Sequence, residues 1–431
     1  MRVPALATDR YELTMVQAAL ADGTADRECT FEVFARRLPA GRRFGVVAGQ
    51  ARVLEVLEGL RFDDDELEHL QATGVVDERT CRWLADYRFD GDVDGYADGE
   101  LHVPGSPLLQ VRAPFATGVL LETVVLSILN HDCAVAAAAA RMVVAAEGRP
   151  IVEMGSRRTH EAAAVDAARA TYLAGFASTS NLEAGLRHAV PTAGTAAHAF
   201  VLLHDSERDA FAAQVAAQGT GTTLLVDTFD IAEGIRTAVE VAGPGLGAVR
   251  IDSGDLAVHA RFARGLLDDL GATGTRIVVS GDLDEHGIAR LSGAPVDAYG
   301  VGTSVVTGSG APTAGLVYKL VEVDGRPVAK RSSGKATHAG RHHVVRRHRA
   351  SGIATEEVVV SGAAEVADLP GDTSPLVPLL RDGARVPGAD GAVDLATART
   401  RLAERLGQLP WDALSLSEGD PAFPTTYVGE P

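Results

Sequence analysis

An alternation along the chain restricts the fold more than any other feature. From about residue 149 to residue 310, short apolar runs take turns with helix-like segments. Candidate strands are Ile151-Val152, Leu224-Leu225-Val226, Ala248-Val249-Arg250-Ile251, Ile277-Val278-Val279 and Ala298-Tyr299-Gly300-Val301. Between two of them Leu256, Ala260, Ala263, Leu266, Leu267 and Leu270 recur at spacings of three and four, which marks an amphipathic helix. Strands alternating with helices pair in parallel, so the segment predicts a (β/α) barrel or a doubly wound sheet. Four of these strands run into polar and glycine residues: Asp227-Thr-Phe-Asp230, Asp252-Ser-Gly-Asp255, Ser280-Gly-Asp-Leu-Asp284 and Gly302-Thr-Ser304. In parallel α/β folds, ligands bind at that carboxyl edge.

The flanking segments read differently. Phe31-Glu-Val-Phe34 reads as a strand, residues 53–60 as a short helix, and residues 315–345 as β-rich, followed by an acidic tail punctuated by Gly and Pro. The predicted organisation is a mixed α/β domain over residues 1–135, a barrel carrying the active site over residues 136–312, and a segment 313–431 returning to the first domain. The most apolar region, residues 119–146, is interrupted by Glu122, His131, Asp132 and Arg141, which predicts a buried helix rather than a membrane span. The N-terminus lacks the apolar stretch of a signal peptide. Cys29, Cys81 and Cys133 are far apart and form no CxxC, which disfavours a disulfide framework or zinc site and favours a reducing, cytoplasmic setting. A net charge of −18 argues against nucleic-acid partners and anionic membranes.

Five groups of residues could carry chemistry. In Arg250-Ile-Asp-Ser-Gly-Asp255, a strand-end carboxylate suits ribose hydroxyls or hydrated Mg²⁺, and Ser253-Gly254 offers backbone N–H groups to an anion. A turn followed by an Asp helix cap explains the same residues. Ser280-Gly-Asp-Leu-Asp284 carries the same two readings. Gly300-Val-Gly-Thr-Ser304 and Thr307-Gly-Ser-Gly310 could cradle a phosphate without being a Walker A loop, or form a plain surface loop. Residues 330–349 hold Lys330, Arg331, Lys335, Arg341, Arg346, Arg347 and Arg349 with no acid between them, which suits either a substrate with several phosphates or a solvated face. The neighbouring His338, His342, His343 and His348 make a poor metal site, because adjacent residues of a strand face opposite ways. His198, in Thr195-Ala-Ala-His-Ala-Phe200, is either a hydrogen-bonded core histidine or a nucleophile toward a phosphoryl group.

Taken in order, these segments resemble the nicotinate phosphoribosyltransferase family. The likeness rests on Thr8-Asp-Arg-Tyr-Glu-Leu-Thr-Met15, Gly155-Ser-Arg-Arg158, Gly175-Phe-Ala-Ser-Thr-Ser-Asn181, Gly194-Thr-Ala-Ala-His-Ala-Phe200, Arg250-Ile-Asp-Ser-Gly-Asp255, the Gly281-Asp282 turn and Tyr318-Lys-Leu320. It implies the type II phosphoribosyltransferase fold, an irregular α/β barrel with a mixed α/β domain built from both chain ends. It also implies a homodimer with active sites at the subunit interface. The implied reaction converts nicotinate and phosphoribosyl pyrophosphate to nicotinate mononucleotide and pyrophosphate, with Mg²⁺ and assisted by ATP.

Residue by residue, the resemblance makes His198 the histidine phosphorylated by ATP, Arg157 the partner of the pyridine carboxylate, and Tyr11 the ring stacked on the pyridine from the partner subunit. Asp252 and Asp282 fall near the ribose and its metal, with Asp252 meeting the metal through water. Arg250 falls on the phosphate side, and Thr195 among the substrate contacts. Gly281, Gly300, Gly302 and Thr303 would hold phosphate, joined by Lys330 and Lys335. Ser180 stands where nicotinamide-using relatives carry aspartate. Serine removes the repulsion that a carboxylate would exert on nicotinate, which predicts the acid over the amide. Met154 replaces an aromatic residue before Gly155, and its thioether predicts weaker ring stacking. The competing readings are a nicotinamide or other pyridine phosphoribosyltransferase, another sugar-phosphate barrel enzyme, and a silent nucleotide-binding relative. An aldolase would want a strand-end lysine, which residues 151–301 do not offer.

Overall fold

The computed structural model describes residues 4–330, 338–362 and 364–429. It divides into two compact units, one of Ala138–Gly310 and one of Met1–Ala137 with Ala311–Pro431.

In the unit Ala138–Gly310 six strands form one parallel sheet. Across the sheet they run Ser178–Thr179, Ile151–Glu153, Ala298–Val301, Arg276–Ser280, Ala248–Ile251 and Thr223–Leu225. Ile151, Leu224, Leu225, Val249, Ile251, Ile277, Val279, Tyr299 and Val301 are all buried, as befits parallel strands covered on both faces. Each fully buried Val, Leu or Ile contributes about 1.5–3 kcal/mol. The predicted amphipathic helix runs Leu256–Asp269 and buries Ala260, Ala263, Leu266 and Leu267, while Leu270 forms its C-cap. Among the described residues the hydrogen-bonded ladder does not close between Ser178–Thr179 and Thr223–Leu225. The chain between these edges is helical or loop, and it adds to the sheet's ladder a single bridge, from Thr192 to Thr179, among the described residues. The irregular character of the barrel lies there.

The other unit is mixed α/β and draws on both chain ends. Its seven-stranded sheet places Glu28–Ala35 antiparallel between Leu109–Pro114 and Leu316–Val323, and pairs Asp92–Tyr96 with Leu376–Arg381. Phe31 stacks on Tyr318 with ring centroids 5.1 Å apart, locking an N-terminal strand to a C-terminal one. The helix Glu122–Ala145 covers most of the apolar region read from the sequence. The stretch Phe115–Ala145 is long and apolar enough to cross a membrane by length and composition, but 67% of its most apolar window is buried within the protein.

This unit corrects the reading of residues 330–349 as one cationic face. Strand His342–His348 pairs antiparallel with Ala354–Ser361, setting Arg346 opposite Glu357 and Arg347 opposite Glu356. Arg346 is 3% exposed and bound to both Glu357, at 2.7 Å, and Glu100. Arg347 lies 3.6 Å from Glu356, and Arg341 3.5 Å from Asp94. Arg341, Arg346 and Arg347 thus meet acids that lie elsewhere in the sequence. Lys330 is exposed, whereas Arg331 and Lys335 lie outside the described residues. His342 is buried and His343 exposed, as strand alternation requires.

Candidate active site

Three strand-end turns in the parallel unit each carry two acids, and the fold separates their roles. The second acid caps the following helix. Asp230 accepts from Glu233 N at 3.0 Å, Asp255 from Val258 N at 3.1 Å, and Asp284 from Gly287 N at 2.6 Å. The first acid of each turn, Asp227, Asp252 or Asp282, is thereby left for other partners. For these three residues a capping role does not suffice.

Asp252 stands at the centre of a charged network. Its Oδ1 accepts from Arg250 Nη2 at 2.8 Å and from the Ser280 hydroxyl. Burial raises the Asp252 carboxyl, but the hydrogen bonds from Ser280 and Arg250 outweigh it and hold the group below its ordinary value. Arg250 also donates from Nε to Ser280 Oγ at 2.8 Å and from Nη1 to Thr195 Oγ1 at 3.4 Å. The guanidinium placed on the phosphate side by resemblance is therefore directed at Asp252, Ser280 and Thr195.

His198 opens the short helix His198–Leu202. Its Nδ1 lies 3.0 Å from Thr228 Oγ1, and its Nε2 lies 4.0 Å from both Asp227 Oδ1 and Asp252 Oδ2. The Asp227 side chain is 1% exposed, and its Oδ2 fixes the neighbouring turn by accepting from Asp252 N at 2.7 Å and Ser253 Oγ at 2.8 Å. Its Oδ1 is buried without a hydrogen-bond partner and faces the imidazole. A lone acceptor left there is costly unless a proton, cation or ligand meets it. The strand-end motif contained Asp227, but nothing in its spacing singled it out above Asp230.

The glycine positions have physical reasons. Gly281 has φ +123°, and a Cβ there would come within 2.7 Å of Asp252 O, so the turn passes directly over the neighbouring strand end. Asp282 follows at φ 47° and is exposed. A Cβ on Gly300 would meet Met154 Sδ at 2.9 Å, which puts the thioether against this strand. Gly302 and Thr303 begin the segment after Val301 and are partly exposed.

Buried Glu153 ties two more loops together. It accepts from Gly155 N, and from Thr179 Oγ1 at 2.5 Å, while Ser180 N donates to its backbone oxygen at 2.8 Å. Arg157, on the first of these loops, and Ser180, on the second, are both exposed. Burial raises the Glu153 carboxyl, with the bonds from Thr179 and Gly155 opposing. Tyr11 and Lys330 belong to the other unit. Tyr11 is 45% exposed on helix Arg10–Asp22, its phenol raised by burial and by Glu122.

One further group had no signature in the sequence. Glu207, at the start of helix Glu207–Gln218, has a buried Oε1 without a partner. Burial, then the charges of Asp230 and Asp227, push its carboxyl up to about 7. The folded protein thus holds a proton that the unfolded chain releases near the ordinary value of 4.5. Its stabilising contribution is full below that value and is lost as pH rises through about 7. Glu207→Gln removes this dependence. The variant's Tm minus that of the parent protein should rise by a few degrees between pH 4.5 and pH 8. A difference that stays flat in thermal denaturation at the two pH values would show that Glu207 titrates normally.

Comparisons with known proteins bear on this geometry. Residues 6–130 match the family model described as the nicotinate phosphoribosyltransferase N-terminal domain. The chain is 60% identical to the nicotinate phosphoribosyltransferase pncB1 of Mycobacterium tuberculosis, over 98% of this chain and 95% of that one. It is 38% identical to the nicotinate phosphoribosyltransferase of Bacillus subtilis, over 79% and 72% of the two chains. The crystal structure of human nicotinic acid phosphoribosyltransferase superposes with a TM-score of 0.84 at 26% identity, covering 98% of this chain and 97% of that one. The resemblance read from the ordered motifs is borne out.

Proposed function

This chain belongs to the nicotinate phosphoribosyltransferase family, and from that premise we infer that it makes nicotinate mononucleotide and pyrophosphate from nicotinate and phosphoribosyl pyrophosphate, a step of NAD salvage. The observation that carries the site assignment is the network that joins Asp252 to Arg250, Ser280 and Thr195 beside His198.

At the ribose C1, the bond to pyrophosphate breaks as the bond to the pyridine nitrogen forms, through an oxocarbenium-like state. The protein has to align the reactants and offset the departing charge. Asp252, held ionised by Arg250 and Ser280, is placed to accept hydrogen bonds from ribose hydroxyls and to favour positive charge on the sugar. Exposed Asp282 flanks the same edge. Gly281, Gly300, Gly302 and Thr303 offer N–H groups and a hydroxyl to the 5-phosphate, and Arg157 and Ser180 take the pyridine carboxylate.

Among the described residues no group of three metal-ligating side chains is present. Asp252, ionised and partly exposed, would meet Mg²⁺ carried by substrate phosphates through water, since this ion keeps much of its hydration. When bound, the ion neutralises charge on the leaving pyrophosphate. With Nδ1–H donated to Thr228, the His198 lone pair lies on Nε2. Attack there on the γ-phosphorus of ATP forms an N–P bond and releases ADP. The resulting phosphorylated ring carries positive charge, which Asp227 and Asp252 favour.

Two further parts of the reading rest on particular features. Leu182 and Leu186 on helix Leu182–His188, Leu202 and Leu203 at the end of the His198 helix, and Phe229 in the Asp227 turn are exposed apolar side chains, which a second copy bringing the partner subunit's Tyr11 to the pyridine would cover. The three cysteines are free and buried, in keeping with a reducing cytoplasm.

A product assay with nicotinate, phosphoribosyl pyrophosphate and Mg²⁺ tests the whole reading. Nicotinate mononucleotide should form, faster with ATP, from a species of twice the 44.9 kDa chain mass. Comparable kcat/KM for nicotinamide would overturn the role of Ser180. Ligand-dependent thermal stabilisation without pyrophosphate release would support a silent relative instead.

A further inference from the structure

Among the buried ion pairs that the mechanism leaves unused, one lies in the parallel unit beside the candidate site. Arg141, on helix Glu122–Ala145, is 7% exposed, and its Nε lies 3.1 Å from Oε1 of Glu285, which is 2% exposed. The other oxygen of Glu285 accepts from Ser309 Oγ at 2.5 Å. An isolated ion pair in a core is weak support for a fold, because desolvation offsets most of the attraction. Its partners here therefore matter more than its strength.

Those partners belong to the two loops that the proposed chemistry needs most. Glu285 is the first residue of helix Glu285–Arg290, directly after the Gly281-Asp282 turn and its capping Asp284. Ser309 closes the glycine-rich segment that begins at Gly302 and Thr303. It lies between Gly308 at φ 70° and Gly310 at φ 82°, and itself takes φ 49°. A serine in this left-handed conformation is strained, whereas its glycine neighbours are not. Its N–H donates to Ser304 O at 2.6 Å and its hydroxyl to Glu285, which helps hold it there. A glycine at position 309 would make the turn without strain, yet it would lack the hydroxyl. Position 309 keeps the strain and the link.

We propose that Arg141, Glu285 and Ser309 form a positioning device that fixes the distance between the ribose-binding turn at Asp282 and the phosphate loop at Gly302 and Thr303. The device thereby selects a pentose carrying a 5-phosphate. Arg141 anchors the carboxylate, the carboxylate anchors the serine, and the serine sets the end of the loop. None of the three touches substrate. This inference rests on the assignment of Gly300, Gly302 and Thr303 to the 5-phosphate.

The test uses steady-state kinetics of the full chain. Ser309→Ala should raise KM for phosphoribosyl pyrophosphate and Ki for ribose 5-phosphate about tenfold, the effect of one lost positioning bond. KM for nicotinate and Ki for inorganic pyrophosphate should stay within about twofold. Ser309→Gly should show the same split although it relieves the strain. Glu285→Gln, which keeps an acceptor for Ser309, should fall between Ser309→Ala and the parent. Equal rises in every constant, or a lower Tm with unchanged constants, would reduce the pair to fold support and overturn the proposal. Thr303→Val separates the two levels of inference. If it raises KM for phosphoribosyl pyrophosphate and Ser309→Ala does not, the device is wrong and the phosphate assignment stands. If neither variant moves it, the phosphate assignment falls and the device with it.

Discussion

Asp252→Asn is expected to lower kcat/KM for phosphoribosyl pyrophosphate by about a hundred- to a thousandfold, the range seen when one preorganised group facing developing charge is lost. The substitution keeps the shape of the side chain and an oxygen for Arg250 and Ser280 to reach. It removes the negative charge that favours an oxocarbenium-like sugar and leaves the part-buried Arg250 guanidinium without its anion. At 1.36 kcal/mol per tenfold, the loss corresponds to about 3–4 kcal/mol of transition-state stabilisation. KM for nicotinate should change little, because Asp252 is assigned to the sugar and not to the ring. Initial-rate kinetics, with the variant's Tm as a check on folding, decide the matter. A fall of less than about tenfold would remove Asp252 from the ribose site.

His198→Ala is expected to abolish nicotinate-dependent ATP hydrolysis while leaving ATP-independent transfer in place. Nucleophilic attack on the γ-phosphorus has no substitute for the Nε2 lone pair, so the ATP-stimulated part of kcat/KM should disappear altogether. The parent protein incubated with γ-labelled ATP should carry an acid-labile label that the variant lacks. Full ATP hydrolysis by the alanine protein would end the phosphohistidine proposal. Loss of basal transfer as well would instead place the imidazole in the sugar chemistry.

The sequence made the parallel sheet legible because parallel strands are covered on both faces and read as continuous apolar runs. Ala248–Ile251 and Ala298–Val301 were located to the residue on that basis. Strand Ser178–Thr179 went unseen, since two residues show no period. Helix Leu256–Asp269 was visible through its apolar stripe, and the first domain's use of both chain ends through the resemblance. At the site, Asp252 was legible as a strand-end acid, but which acid of each pair would cap a helix was decided only by the turn geometry. Glu207 had no signature, because its neighbours Asp227 and Asp230 come from a separate turn. The basic run misled for the opposite reason. Charge counted along the chain ignores what lies across a sheet, and Glu356 and Glu357 neutralise cations about ten residues away in sequence.

The seven-stranded sheet also dictates an order of assembly. Glu28–Ala35 leaves the ribosome early, but its neighbour Leu316–Val323 and the partner of Asp92–Tyr96, Leu376–Arg381, are among the later strands made. At about 5–20 residues per second, the early strands wait tens of seconds for these mates. Residues Ala138–Gly310 emerge whole in the interval, with every strand of their own sheet already present. The parallel-sheet unit can therefore mature during translation, while the nascent N-terminal strands keep unpaired edges that invite chaperones until synthesis nears its end.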